Sequence, residues 1–144
     1  MQSFPKLKLI AVGKIKKGWI REGIDLYDKR LLELEVIELK DSTPEREGEQ
    51  LLALVKPTET LVALTETGRS LGSVAFTQWL AQADSHQLVF VIGSAEGLSD
   101  RVKAQAEQQL SLSVMTFPHE LARLMLMEQL YRAKTILQGS RYHK

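Results

Sequence analysis

Short apolar runs alternate with amphipathic stretches along the whole chain. Lys6 to Val12 (KLKLIAV) is a branched apolar run closed by Gly13, the pattern of a buried strand. Ile20, Ile24, Tyr27 and Leu31 follow at helical spacing, which puts them on one face of a helix. Leu34 to Leu39 (LEVIEL) predicts a second strand, with Val36 and Ile37 as its β-branched centre. Ser42-Thr43-Pro44-Glu45 then supplies a cap at Ser42 and a first-turn proline, opening a second helix to about Leu54 that Pro57 ends. Thr60 to Leu64 predicts the third strand, Gly68 to Gly72 a loop, and Ser73 the cap of a helix through Ala83. Leu88 to Ile92 is apolar at every position, as expected of a strand covered on both faces, and Gly93 stops it. Ser99 caps a helix from about Asp100 to Gln109, Leu110 to Met115 predicts the fifth strand, and a long helix runs from about Glu120 to Leu137.

Strands alternating with helices in this way predict a parallel sheet covered on both faces, a three-layer α/β sandwich. Ligands of such sheets bind beyond the carboxyl ends of the strands. The loops after Val12, Leu64, Ile92 and Met115 are therefore the places to look for a site. At 144 residues, with no linker or repeat, the whole chain from 1 to 144 reads as a single domain.

Composition narrows the chemistry. The absence of cysteine excludes disulfide frameworks, thiolate metal sites and thiol nucleophiles. The longest aliphatic and aromatic run, Leu88 to Ile92, is far short of the roughly 20 residues of a membrane span, and Lys6 and Lys8 break any signal-peptide core. A cytoplasmic protein without a membrane partner is the expectation. The formal charge of +1 hides a strong segregation. Residues 1–30 carry a net +5 and 101–144 a net +4, against −5 for 31–60 and −3 for 61–100. If both ends converge, a nearly neutral protein presents a positive patch to phosphates, whereas scattered charge would merely solvate the surface.

Several segments carry candidate chemistry. Gly93-Ser94-Ala95-Glu96-Gly97 after the central strand has the Gly-x-x-x-Gly form, which is neither a dinucleotide fingerprint nor a phosphate loop, so a conventional NAD or ATP site is not expected. Its glycines would let backbone amides approach a ligand, though a plain turn needs them equally. Leu110 to His119 alternates apolar and small polar side chains into a proline-fixed loop. Its edges could bond a flat ring while Leu112, Val114 and Phe117 pack the faces, or its serines could simply face solvent on an edge strand. His86, His119 and His143 share no metal-ligand spacing, and no metal is expected. His86 reads as surface, while His119 and His143 could each accept a proton or touch a phosphate. On the last helix Glu128 and Arg132 stand four apart and form an ordinary helix pair. The wide apolar surface around them, with Met125, Met127 and Tyr131, exceeds what one sheet face requires and suggests a second chain. The tail Ser140-Arg141-Tyr142-His143-Lys144 either frays or offers a ring, an imidazole and cations to a nucleotide.

Taken together these residues resemble one family. The chain is similar to the ribosomal RNA large subunit methyltransferase H family of the SPOUT (trefoil-knotted) methyltransferase superfamily. The match runs through Leu9-Ile10-Ala11-Val12-Gly13-Lys14, Glu47-Gly48-Glu49-Gln50, Phe90-Val91-Ile92-Gly93 and Glu96-Gly97-Leu98. It continues through Leu112-Ser113, Met115-Thr116-Phe117-Pro118-His119, Glu128-Gln129-Leu130-Tyr131-Arg132-Ala133 and Tyr142-His143-Lys144. Ser94 replaces a glycine common in that family, and the segment from Asp41 to Glu47 is short for it.

The resemblance implies a C-terminal trefoil knot and a homodimeric enzyme using S-adenosylmethionine to methylate N3 of a pseudouridine in 23S rRNA within the assembled ribosome. It places the cofactor on Leu64, Gly93, Leu112, Ser113, Val114, Met115, Thr116 and Phe117. Tyr142 and His143 are then expected to position the target base, with His143 or His119 assisting proton removal and Arg132 stabilising charge. Lys14, Lys16, Lys17, Arg123, Arg141 and Lys144 are expected to hold rRNA phosphates. Two other readings stay open: a ribosome-binding module without catalysis, and a small-molecule enzyme on the same sheet.

Overall fold

The computed structural model describes residues 3–83 and 87–144. The elements run β1 (Leu7–Val12), α1 (Gly18–Arg30), β2 (Leu34–Leu39), α2 (Pro44–Ala53), β3 (Thr60–Ser70), α3 (Ser73–Ala81), β4 (Leu88–Ile92), α4 (Asp100–Gln105), β5 (Gln108–Ser111) and α5 (His119–Leu137). All strand pairs are parallel, in the order β2-β1-β4-β3-β5. The expected α/β architecture is therefore the one observed.

Alternation along the central strands divides the core in two. Leu7, Leu9, Val62, Phe90 and Ile92 face α1, α3 and α5 with Ile20, Ile24, Phe76, Leu126 and Leu130. Ile10, Leu61, Ala63, Val89 and Val91 face α2 and α4 through Leu51 and Val102. Because β1 and β4 are central, every residue of each is buried, which accounts for their unbroken apolar runs. The exception is Lys8, which lies on β1 and is buried with Glu59, their Nζ and Oε2 atoms 3.0 Å apart.

Several boundaries differ from the sequence expectations, each for a local reason. Thr43, not Ser42, caps α2 by accepting from the Arg46 N–H at 3.3 Å, while the buried Glu47 carboxylate accepts from the Ser42 N–H at 2.7 Å. Gly68 to Gly72 is not a loop throughout, since β3 continues to Ser70. Its pairing with β5 shifts register between Leu64 and Arg69. Gly68 makes this possible: a Cβ there would lie 2.6 Å from the Gln109 carbonyl carbon. Ser73 does not cap α3; its hydroxyl donates to Gln129 Oε1 at 2.6 Å instead. Ser99 does cap α4, but that helix stops at Gln105. Glu107 then ties the chain to β3, donating its N–H to the Leu61 carbonyl and accepting the Leu61 N–H at 2.6 Å. β5 accordingly begins earlier than expected and ends at Ser111, leaving Leu112 to Pro118 as a loop into α5. The surface reading of His86 lies outside the described residues.

The Lys8–Glu59 pair generates a stability prediction. Burial raises the Glu59 carboxyl, but the Lys56 N–H, 2.8 Å from Oε1, and the Lys8 ammonium outweigh burial and hold it below its ordinary value. This pair therefore stabilises the fold fully at neutral pH, and its contribution fades as the pH falls through the depressed value of the folded state. Glu59→Ala should lose about 3–5 kcal/mol in urea unfolding, because it strands a buried ammonium. The double variant Lys8→Met with Glu59→Leu should recover most of that loss. Equal instability of the single and double variants would show that packing rather than charge pairing is at stake.

Candidate functional site

At the carboxyl ends of the strands, three segments converge on one cleft. It is a solvent-open cleft with a cavity volume of about 110 Å³. Its lining includes Leu64 and Glu66 from β3, Ile92 at the end of β4 with Gly93 and Ser94 after it, and Leu112, Ser113, Met115 and Phe117 from the β5–α5 loop, with His119 and Ala122 of α5. Gly93 forms the tightest part of it. A Cβ at Gly93 would meet the Gly97 carbonyl carbon at 2.6 Å and the Leu98 nitrogen at 2.8 Å, so only glycine fits. The turn closes by the Gly97 N–H donating to the Ser94 carbonyl at 2.8 Å, with Gly97 at φ +84°. Ser94 itself is accommodated in that turn by an isolated bridge to Gly97.

The β5–α5 loop is internally braced. Ser111 is buried, and its hydroxyl lies 3.2 Å from the Glu66 carbonyl and 2.8 Å from that of Ser113. The Met115 N–H donates to Ser113 Oγ at 3.0 Å. These serines order the loop rather than face solvent from an edge strand. Val114, 82% exposed, and Thr116, also exposed, are on the loop but not among the residues lining the cleft. Leu64, Gly93, Leu112, Ser113, Met115 and Phe117 are brought together as expected.

The β1–α1 loop meets the cleft at His119. Glu120, buried at the start of α5, accepts from the Lys16 N–H at 2.8 Å and the Lys17 N–H at 3.2 Å. Burial raises its carboxyl, but these two amides, His119 and Lys17 hold it below its ordinary value. Glu120 thus replaces a capping side chain for that loop and fixes the exposed Lys14, Lys16 and Lys17 beside the cleft. Gly13, at φ +95°, lies against both His119 Nε2 and the Asp41 carboxylate.

The tail forms a second cluster, on α1 and α5. Glu128 is its hub: Oε2 accepts from Arg132 Nη2 at 2.7 Å and from the Tyr142 hydroxyl at 2.9 Å, and Oε1 accepts from Gln129 Nε2 at 2.8 Å. The Tyr142 oxygen also lies 3.1 Å from the Tyr27 hydroxyl. Since the one Tyr142 proton goes to the carboxylate, Tyr27 is the donor of that bond. Burial, Tyr27 and Glu128 together push the Tyr142 phenol far up, so it stays protonated and acts as a hydrogen-bonding ring rather than a proton acceptor. Its ring meets Tyr131 edge to face at 4.9 Å, and Arg132 stacks over it at 5.0 Å. Arg132 Nη1 lies 2.9 Å from His143 Nδ1. The Glu128–Arg132 helix pair thus exists but also carries the tail, which is docked rather than frayed.

Arg132, Tyr142 and His143 are brought together, and His119 is placed apart from them in the cleft. Arg141 and Lys144 are exposed beside the tail. Arg123 is a correction: it is buried, with Nη1 2.7 Å from Glu38 on β2, and cannot reach a phosphate while held there. The sequence reading missed Tyr27, Glu120 and Asp41, and took Glu128 only as a helix partner. No local signal marks them, because each acts on a segment remote in sequence. Among the described residues, no group of three or more His, Cys, Asp and Glu side chains could hold a metal ion, and no helix is long and apolar enough to cross a membrane.

Beside the cleft runs an apolar groove lined by Leu26, Leu71, Phe76, Leu110, Leu124 and Met125. Leu112 lines both groove and cleft, and Tyr27 and Glu128 of the tail cluster line the groove.

Comparison with known proteins agrees with this layout. Residues 6–143 match the family described as "Predicted SPOUT methyltransferase". Among similar proteins is the "Ribosomal RNA large subunit methyltransferase H" of Synechococcus sp. (strain CC9605), 55% identical over 139 residues that cover 96% of each chain. The protein of the same name from Parasynechococcus marenigrum (strain WH8102) is 52% identical with the same coverage. That from Prochlorococcus marinus (strain MIT 9303) is 53% identical over 95% of this chain and 91% of its own. With its glycine-floored cleft at the ends of a parallel sheet and near-complete coverage of these relatives, this chain belongs to the ribosomal RNA large subunit methyltransferase H family of SPOUT methyltransferases.

Proposed function

We propose that this chain is a cytoplasmic, S-adenosylmethionine-dependent methyltransferase that acts as a homodimer on N3 of a pseudouridine in 23S rRNA, within the assembled ribosome. The observation that carries the reading is the pairing of a small-molecule cleft at the strand ends with a separate basic and aromatic cluster suited to a nucleobase. A ribosome-binding module has no need of the first, and a small-molecule enzyme no need of the second.

The cleft fits the cofactor chemically. Leu64, Leu112, Met115 and Phe117 offer apolar walls to a flat ring, Gly93 brings backbone within reach of it, and the site requires no metal. When bound, S-adenosylmethionine would supply a methyl group already activated on a cationic sulfur that leaves as a neutral thioether. The residues then have to align the nucleophilic N3 with that methyl, exclude water and accommodate loss of the N3 proton. Tyr142 and His143 position the base, Arg132 carries the positive charge beside it, and the imidazoles of His119 and His143 are the two candidates for receiving the proton. Lys14, Lys16, Lys17, Arg141 and Lys144 hold rRNA phosphates, so binding weakens steeply with salt.

The contacts of Tyr142 and His143 end on Tyr27, Glu128, Tyr131 and Arg132, not on their own cleft. The apolar groove of Leu26, Leu71, Leu124 and Met125, which adjoins the cleft at Leu112 and the tail cluster at Tyr27 and Glu128, is the surface that a second copy covers in the proposed homodimer. The trefoil knot belongs to the same reading.

Incubation with tritiated S-adenosylmethionine and ribosomes from cells lacking this activity should label one pseudouridine of the large-subunit RNA. Folded, cofactor-binding protein that leaves ribosomes unlabelled would favour the small-molecule enzyme. Gly93→Ala should weaken S-adenosylmethionine binding at least about tenfold, or 1.4 kcal/mol, in calorimetry, because its Cβ forces the Gly97 turn outward. Unchanged affinity would remove the cofactor from this cleft.

A further inference from the structure

The bond between Arg132 and His143 fixes more than the position of the ring. A guanidinium has only N–H donors and stays charged throughout the accessible pH range. Arg132 Nη1 lies 2.9 Å from His143 Nδ1, so Nδ1 accepts and carries no proton. The proton of the neutral ring is therefore on Nε2, and its one lone pair is engaged by Arg132. Arg132 cannot turn away easily, because Nη2 and Nε are both held by Glu128, at 2.7 and 3.4 Å, and its plane lies over the Tyr142 ring. Glu128 is fixed in turn by Gln129, whose Oε1 accepts from Ser73 on α3.

From this geometry, and resting on the methyltransferase reading above, we infer that His143 is a hydrogen-bond donor to the target base and not its proton acceptor. Its Nε2–H is the free edge of the ring. Loss of the N3 proton from a uracil-type ring spreads negative charge onto the two flanking carbonyl oxygens, and an N–H donor at either oxygen stabilises that charge as it develops. Methyl transfer then forms the N3–carbon bond as the donor's carbon–sulfur bond breaks, its electron pair leaving on a neutral thioether, and the ring returns to neutral. Arg132 is a positioning residue here. By donating to Nδ1 it fixes the tautomer and draws electron density from the imidazole, which strengthens the Nε2–H as a donor. Of the two imidazoles, His119 at the cleft remains for the proton-accepting role.

The test combines a substrate-free readout with kinetics. Two-bond proton–nitrogen correlation spectra of protein labelled with ¹⁵N-histidine, assigned by the loss of one ring system in His143→Gln, should show His143 as the Nε2–H tautomer. Arg132→Gln should release it to a mixture. In methyl transfer to ribosomes, His143→Ala should lose about 10²–10³-fold in kcat, the usual effect of deleting one preorganised donor, with little change in cofactor affinity. His143→Gln, whose amide N–H reaches the Nε2 position but cannot take a proton, should stay within about tenfold of wild type, a loss of 1.4 kcal/mol or less. An active wild type whose His143 is the Nδ1–H tautomer, or in which the glutamine variant is as slow as the alanine variant, overturns the donor role alone. A folded wild type that leaves ribosomes unmethylated overturns the functional reading and the donor role with it.

Discussion

The placement of α5 is the constraint on which the rest of the structure depends. This one helix lies against both α1 and α3, closes the larger half of the core through Leu126, Met127 and Leu130, and makes polar contacts to other elements along most of its length. Its first turn holds the β1–α1 loop through Glu120, and Arg123 then fixes it to β2 through Glu38. Further along, Glu128 and Arg132 gather the tail. A small rotation of α5 would therefore disturb the basic loop, the His119 side of the cleft and the tail cluster together. Such coupling explains why charged groups are retained on a helix whose neighbours are mostly apolar. Each buried charge is matched by a partner on another element, so orientation is specified as well as stability.

The same logic applies at the other end of the sheet, where Lys8 and Glu59 are buried against the α2 and α4 layer. That pair is structural, remote from the cleft, and joins the start of β1 to the start of β3. Two kinds of buried charge are thus segregated. One kind secures the amino ends of the strands, and the other arranges side chains at their carboxyl ends, where a parallel sheet presents its loops to ligands.

The architecture was legible in the sequence because burial on both faces writes itself as unbroken apolar runs, as in Leu88 to Ile92, and because helices announce their faces by periodicity, as Ile20 and Ile24 do. Most of the cleft was legible for a related reason: strand ends locate loops, and Gly93 is a position where a side chain has no room. What stayed hidden depends on pairing across long sequence distances. The extension of β3 through Gly68 rests on its contact with Gln109, some forty residues on. Arg123 reads as a free cation in sequence, yet Glu38, which cancels it, comes 85 residues earlier. Tyr27 reads as part of an apolar helical face, and only the fold reveals that its hydroxyl serves the tail.

The tail cluster also clarifies how chemistry is divided in such a small protein. Tyr142 is kept protonated by a carboxylate that takes its only hydrogen, and His143 has its lone pair engaged by a guanidinium. Both groups therefore meet a partner as donors or as ring surfaces, which suits holding a base and stabilising its anion rather than removing its proton. His119, outside this network and beside the cleft, is not subject to that restriction. In the proposed mechanism, recognition falls near Arg132 and proton removal near Glu120, at opposite ends of the same helix. Within one chain these ends are separated by most of the length of α5. Leu112 lines both the cleft and the apolar groove, and Tyr27 and Glu128 of the tail cluster line that groove too, so the groove is the surface that joins the two ends on one face of the molecule.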